Sequence, residues 1–238
     1  MSLARALVVT IQAVCNHLAC TPPNPTPQKG RYHTDEPWIL QIAPSIFKCH
    51  LIILWMCAGF ECLLYISTLY PALPPSLSPF TPLLCPATFI STPQPPNLHL
   101  TALAFIGFLA VLLGTYIRLD CFRTLGHLFT FDLTIHPQHK LITARFYGYV
   151  RHPAYTGSLL LVAGIAFSHL THGGWLTECG PLRPRGTAGI LWGVWWIWTL
   201  AVGVSRAYAE DRQMRKLFQD EWDAYAANVP WWFFPGIL

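Results

Sequence analysis

Arg206 and Glu210 stand four residues apart, directly after Gly186 to Ser205, twenty residues that hold no Asp, Glu, Lys or Arg. On a helix that spacing sets both side chains on one face, one turn apart. An exposed pair of this kind contributes little and needs no function. An ionisable group that follows a charge-free stretch of bilayer length is costly to place, however, and its default reading is functional. The second group is YGYVRHPAYTG, Tyr147 to Gly157, where Arg151, His152 and Pro153 precede another charge-free run, Ala154 to Thr177. Pro153 starts a helix and restricts the backbone of His152. Arg151 anchors the boundary by snorkelling, which leaves His152 and Tyr155 to point toward a site. The third group is HKLI, His139 to Ile142. Taken singly, His139 reads as a solvated loop histidine, and Tyr147, Tyr149 and Tyr155 serve as interfacial aromatics as readily as site residues.

The chemistry open to these groups is binding and orientation. Glu210, Asp211 and Asp220 are acceptors for hydroxyl or ammonium groups, and Arg206 offers the planar donor pair that suits a carboxylate. The chain has no glycine-rich phosphate loop, no HExxH and no serine nucleophile elbow. Its eight cysteines, at 15, 20, 49, 57, 62, 85, 121 and 179, show neither CxxC pairs nor metal spacing. Most fall in apolar segments and read as inert buried thiols. No metal is indicated.

The elements that position these residues belong in lipid. Hydrophobic residues make up 53% of the 238, charged residues 11%, and mean hydropathy is +0.39. Apolar length gives an all-α polytopic membrane protein with about five spans, near 3–20, 46–70, 98–117, 154–172 and 187–205, each close to the ~20 residues of a crossing. Residues 1–20 carry Gln12, Asn16 and His17 and no small-residue cleavage site, so they read as a weak first membrane helix rather than a signal peptide. Trp175, Trp231 and Trp232 fall at or beyond span ends, where indole rings favour the headgroup level. Pro71 to Pro96 holds nine prolines and no charge and reads as an extended surface loop. After the last span, Met214, Leu217, Phe218, Trp222 and Tyr225 recur every three or four residues, the mark of a C-terminal amphipathic helix, which Asn228 and Pro230 end. Residues 1–96 thus form an N-terminal part of membrane helices and the Pro-rich loop, and 97–238 a core with the candidate site.

Lysine and arginine concentrate in alternate connections: Lys29 and Arg31, then Arg118 to Arg151, then Arg206 to Lys216. The positive-inside rule puts these three segments, C-terminus included, in the cytosol, so the three groups of site candidates share one side. The formal net charge of +4 is dispersed and leaves no nucleic-acid footprint.

In order, H-x-L-I (His139 to Ile142), Tyr147, R-H-P-x-Y (Arg151 to Tyr155), an apolar hairpin, R-x-x-x-E-D (Arg206 to Asp211), F-x-x-x-W-x-x-Y (Phe218 to Tyr225) and V-P (Val229, Pro230) resemble the isoprenylcysteine carboxyl methyltransferases. The resemblance covers about residues 118 to 232. It implies a multi-pass enzyme of the endoplasmic reticulum membrane, with a cytosolic C-terminus. Such an enzyme uses S-adenosyl-L-methionine to methylate the C-terminal carboxylate of prenylated cysteine in CaaX proteins such as small GTPases. It implies cofactor contacts at His139, Lys140, Leu141, Ile142, Tyr147, His152, Pro153, Ala154, Tyr155 and Glu210, with a further one at Thr134. Arg206 becomes the substrate-binding and catalytic arginine. The implied partners are the prenylated cysteine and membrane lipid, with no nucleic acid and no metal. Arg145 and Gln219 stand where the family has glycine, Asp211 where it has a second glutamate and Trp222 where it has tyrosine.

Methyl transfer to a carboxylate needs no general base, because the nucleophile is already ionised at neutral pH. That fits a chain without a triad. Three other readings remain at this point: a phospholipid or lipid-amine N-methyltransferase of the same superfamily, a sterol-reductase-like enzyme using NADPH, and a catalytically inactive membrane scaffold. An amine acceptor offers no negative charge for Arg206 to hold, and the H-x-L-I block and chain length disfavour the reductase.

Overall fold

A computed structural model describes residues 2–25, 30–32, 37–69, 84–85, 97–135, 137–184 and 186–237. The main helices among the described residues are α1 (Leu3–Cys20), α2 (Ala43–Leu69), α3 (Ala102–Leu125), α4 (Pro153–His169), α5 (Thr187–Phe218) and α6 (Asp220–Asn228), with α3, α4 and α5 on the charge-free runs. In lipid a helix is the single-segment solution that satisfies every backbone group internally. Among the described residues the architecture is all-α, with one isolated backbone bridge, Arg31 to Thr134. Four helices among the described residues are long and apolar enough to cross a membrane: α1, α2, α3 and α5. The fifth expected span is α4, a helix of 17 residues, at the short end of the range for a crossing. Apart from Leu84 and Cys85, the proline-rich loop lies outside the described residues.

One boundary differs from the sequence reading. The last span and the tail are a single helix of 32 residues, because Ser205 to Phe218 contains neither Pro nor Gly and is rich in Ala, Glu, Arg, Gln, Met, Lys and Leu, all good helix formers. The break comes at Gln219, whose φ is 47°. Among the described residues, the non-glycines with positive φ are Arg145 (59°) and Gln219, the two positions at which the family pattern has glycine. Gln219 is exposed, so Gln219→Gly relieves backbone strain with little lost contact. It is expected to stabilise the protein by about 1 kcal/mol, read as a higher melting temperature in detergent; an unchanged or lower value would show that the conformation carries no strain.

The chain gathers into two compact units, Met1–His17 with Cys49–Leu112 and Leu161–Trp196, and Leu18–Lys48 with Leu113–Leu160 and Ile197–Leu238. In the first, Arg5, Gln12 and Asn16, polar residues that weaken α1 as a span, are buried against protein, whereas His17 is exposed. Arg5 grips Glu61 by two bonds of 2.8 and 2.9 Å, both side chains fully buried, and its Nη1 donates to the Ser168 carbonyl at 2.9 Å. The Trp175 backbone N–H donates to Glu61 Oε1 at 3.1 Å, and Gln12 Nε2 to Ser168 Oγ at 2.6 Å. Losing one partner of a buried pair like Arg5–Glu61 typically costs about 3–5 kcal/mol. Cys85 and Cys179 are joined by a disulfide, which corrects their reading as inert thiols; a pairing across 94 residues leaves no trace in local spacing. Trp175, expected at headgroup level, is buried in the cluster around this disulfide and donates its indole N–H to the Leu84 carbonyl at 2.7 Å.

In the second unit the three basic segments meet. Asn24 Nδ2 donates to the carbonyls of Gly126 and Phe129, and Tyr32 N–H to Leu133 O. Glycine sets the spacing of α3 and α4 here: a Cβ on Gly157 would lie 2.7 Å from Gly114 O and 2.7 Å from Arg118 Cγ. Such small-residue contacts let helix backbones touch in lipid. The amphipathic tail packs on protein, with Trp222, Tyr225 and Val229 buried together against Leu141, Met214 and Phe218.

Candidate functional site

A cavity of about 230 Å³ opens within the second unit. Its wall takes Thr134 and His139 to Ile142 from the loop after α3, Tyr147 from a short 3-10 turn, and His152, Ala154 and Tyr155 from the start of α4. Arg206 and Glu210 come from α5. Of the cofactor and substrate contacts that the resemblance implies, Pro153 alone is not in the cavity wall; it is buried as the first residue of α4, and Asp211, Asp220 and Tyr149 also lie outside the wall. Arg206 and Glu210 share the face that their spacing requires.

Glu210 is a hub. Its Oε1 accepts from the Tyr155 hydroxyl at 2.5 Å, and its Oε2 lies 3.1 Å from His152 Nδ1. The other ring nitrogen, Nε2, lies 2.7 Å from Asp211 Oδ1. Two carboxylates on one imidazole hold it as the cation, with both nitrogens donating. Burial pulls the His152 pKa down, but the hydrogen bonds and charges of Asp211 and Glu210 outweigh it and raise the value from 6.5 to about 9. A raised value means stability that is fully present below 6.5 and is lost as pH rises through about 9. The melting temperature is therefore expected to fall across that interval, and His152→Gln to remove the dependence. A wild-type curve that is flat there would show that the imidazole is not held as a cation.

Arg151 departs from the snorkelling expectation. It is folded back on the C-terminal segment, with Nη1 3.4 Å from Asp211 Oδ2, Nη2 donating to Pro230 O at 3.2 Å and its guanidinium over the Trp232 ring. The backbone N–H groups of Arg151 and His152 donate to Trp231 and Trp232 carbonyls, and Thr156 Oγ1 to Phe233 O. Residues 230–233 thereby fix the start of α4. Asp211 also accepts from Trp232 Nε1 at 2.8 Å, so the position where the family has a second glutamate ties the tail to the site. Arg145 sits outside the cavity wall and pairs with Asp120 through both carboxylate oxygens, at 2.9 and 2.5 Å.

Several wall residues escaped the sequence reading. Tyr32 comes from the loop after α1; burial, and then the Glu210 charge, pushes its phenol pKa up. No local signal marks it. Tyr225 donates to the Tyr147 carbonyl at 2.8 Å, and burial raises its pKa to about 12. It belonged to the F-x-x-x-W-x-x-Y pattern without being assigned to the site. Arg118 also lines the cavity, and it follows the charge-free run Leu98 to Ile117 just as Arg206 follows Gly186 to Ser205. The signal that singled out Arg206 applies to it equally.

The wall offers the Glu210 carboxylate as an acceptor for hydroxyl or ammonium groups, beside Tyr147, Tyr155 and Ile142 as an aromatic and apolar lining. Residues 105–179 match the model of the Isoprenylcysteine carboxyl methyltransferase family, so the resemblance read from the motifs is found independently over α3, the cavity loop and α4. Two rice proteins, each named "Probable protein-S-isoprenylcysteine O-methyltransferase", from Oryza sativa subsp. indica and subsp. japonica, are 30% identical over 128 residues. Each comparison takes in 53% of this chain and 58% of the relative, so the chain spans little more than half the length of the curated relatives it matches. No solved structure matches.

Proposed function

We propose that the chain is a protein-S-isoprenylcysteine O-methyltransferase, using S-adenosyl-L-methionine to esterify the C-terminal carboxylate of prenylated cysteine in CaaX proteins. The observation that carries this reading is one cavity with an arginine, Arg206, and the carboxylate of Glu210 on the same face of α5, opposite the His139 to Ile142 loop and Tyr155. The family match and the relatives' names support it. S-adenosyl-L-methionine, when bound, supplies the electrophilic methyl group. Everything else falls to the chain: Glu210 and the 139–142 loop hold the donor, Arg206 orients the acceptor, and the buried wall excludes water. A carboxylate acceptor would meet that methyl group already ionised, so the chain's residues need only hold and orient it and no general base is required. Holding the two reactants at attack distance supplies as much as ~7–11 kcal/mol, which accounts for a site without a base.

The test is methyl transfer from labelled donor to a short prenylcysteine acceptor in membranes expressing the chain. The label should be released as volatile methanol in mild base. A base-stable label would favour transfer to a lipid amine instead, and no transfer at all would favour a scaffold.

We also place the enzyme in the endoplasmic reticulum membrane with its C-terminus in the cytosol. The Cys85–Cys179 disulfide joins the two segments expected on the lumenal side, where disulfides persist. In sealed microsomes a C-terminal tag should be cut by added protease and a tag in the Pro71 to Pro96 loop spared; protection of the C-terminal tag would reverse the topology.

A further inference from the structure

Arg118 is a buried cation without a carboxylate among the described residues. It sits on α3, is 8% exposed, and lines the cavity. Nε donates to Ala19 O at 2.8 Å, and Nη1 to Ala154 O at 3.2 Å and Ser158 Oγ at 2.6 Å. Its guanidinium carbon lies 5.4 Å from the centre of the Phe122 ring and 5.3 Å from that of Phe131. These neutral partners fix the group in place without neutralising it, and Nη2 donates to none of the described residues. The nearest acid in the sequence, Asp120, is held by Arg145 through both oxygens. Buried charges are ordinarily paired, because an uncompensated one carries the whole desolvation cost. A bound anion would remove that cost.

Phe131 connects this cation to the site. Arg118 packs on its ring while Arg206 Nη1 donates to its carbonyl at 2.9 Å, so two guanidiniums flank one residue of the cavity wall. The adjoining wall, Leu159, Trp198 and Val202, is apolar. An anion fitted here arrives joined to an apolar chain. We propose that Arg118 binds the acceptor's carboxylate together with Arg206, forming the second arm of a two-guanidinium clamp that turns one carboxylate oxygen toward the methyl donor. The inference rests on the methyltransferase reading above and names a substrate-binding residue for it. The donor's own carboxylate presents the same chemistry, and the test separates the two.

Affinities of the full chain in nanodiscs are measured for N-acetyl-S-farnesylcysteine, for its isosteric amide, and for S-adenosylhomocysteine. The wild type should prefer the acid to the amide by about tenfold or more, the ordinary worth of charge-assisted hydrogen bonds. Arg118→Gln should erase most of that preference and leave the affinities for the amide and S-adenosylhomocysteine unchanged. Arg118→Lys, which keeps the buried charge and protects the fold, should reduce the preference partly, since an ammonium lacks the planar two-pronged donor. A purely structural role weakens acid and amide alike with the ratio intact, which overturns the proposal. A fall in S-adenosylhomocysteine affinity at an intact ratio assigns Arg118 to the donor and also overturns it. If the wild type binds neither acid nor amide, the methyltransferase reading itself falls; if it discriminates and both variants discriminate equally, only the role of Arg118 falls.

Discussion

Arg206→Ala is expected to lower methyl transfer to a prenylcysteine acceptor by about 10²-fold or more, the usual cost of misplacing one reactant, while S-adenosylhomocysteine still binds. The reason lies in how the site divides. Arg206 lines the cavity from α5 and donates to the Phe131 carbonyl, on the wall shared with the apolar residues. The groups assigned to the donor lie on the 139–142 loop, Tyr155 and Glu210. Loss of the guanidinium should therefore raise KM for the acceptor and lower kcat together, with donor affinity spared. Lysine should rescue poorly, because a point charge does not reproduce a bidentate grip. Near-normal turnover in Arg206→Ala would sink the carboxylate reading and bring the lipid-amine alternative forward.

Glu210→Gln is expected to weaken S-adenosylhomocysteine binding by about 10- to 100-fold, the range for losing a hydrogen bond to a charged group. The substitution is nearly isosteric, but it removes the charge that faces His152 Nδ1 and accepts from Tyr155. A second readout follows from the same contact. With one of two carboxylates gone, the His152 pKa should drop from about 9 toward 6.5, and the loss of stability with rising pH should begin earlier. Unchanged affinity together with an unmoved pH profile would show that Glu210 serves neither the donor nor His152.

Much of this protein could be read from consecutive residues. Apolar length marked α1, α2, α3, α4 and α5, the last three as charge-free runs, because hydropathy over about twenty positions is a property of the local chain. Arg206 and Glu210 were placed on one face by a spacing that any α-helix obeys. The tail's apolar period foretold the buried Trp222 and Tyr225, though Leu217 of the same period is exposed. Even the two glycine departures, Arg145 and Gln219, were legible as irregularities, and both prove to be positive-φ residues.

What the tertiary structure alone decided are the partnerships. Arg5 and Glu61 are 56 residues apart and Cys85 and Cys179 are 94 apart; no periodicity links them, since a pairing depends on how each helix is rotated and where its end falls. Tyr32 enters the cavity wall because residues 30–32 lie beside 133–135. Arg118 ended an apolar run as visibly as Arg206 did, yet the sequence reading counted it only among the basic residues of a cytosolic segment. Only the packing of α3 on α4, with glycine at the contact, shows that its guanidinium is turned inward onto Ala154, Ser158 and Phe131. Hydropathy records how far a segment reaches into lipid, whereas which way a cation at its end turns is settled by the atoms packed around it.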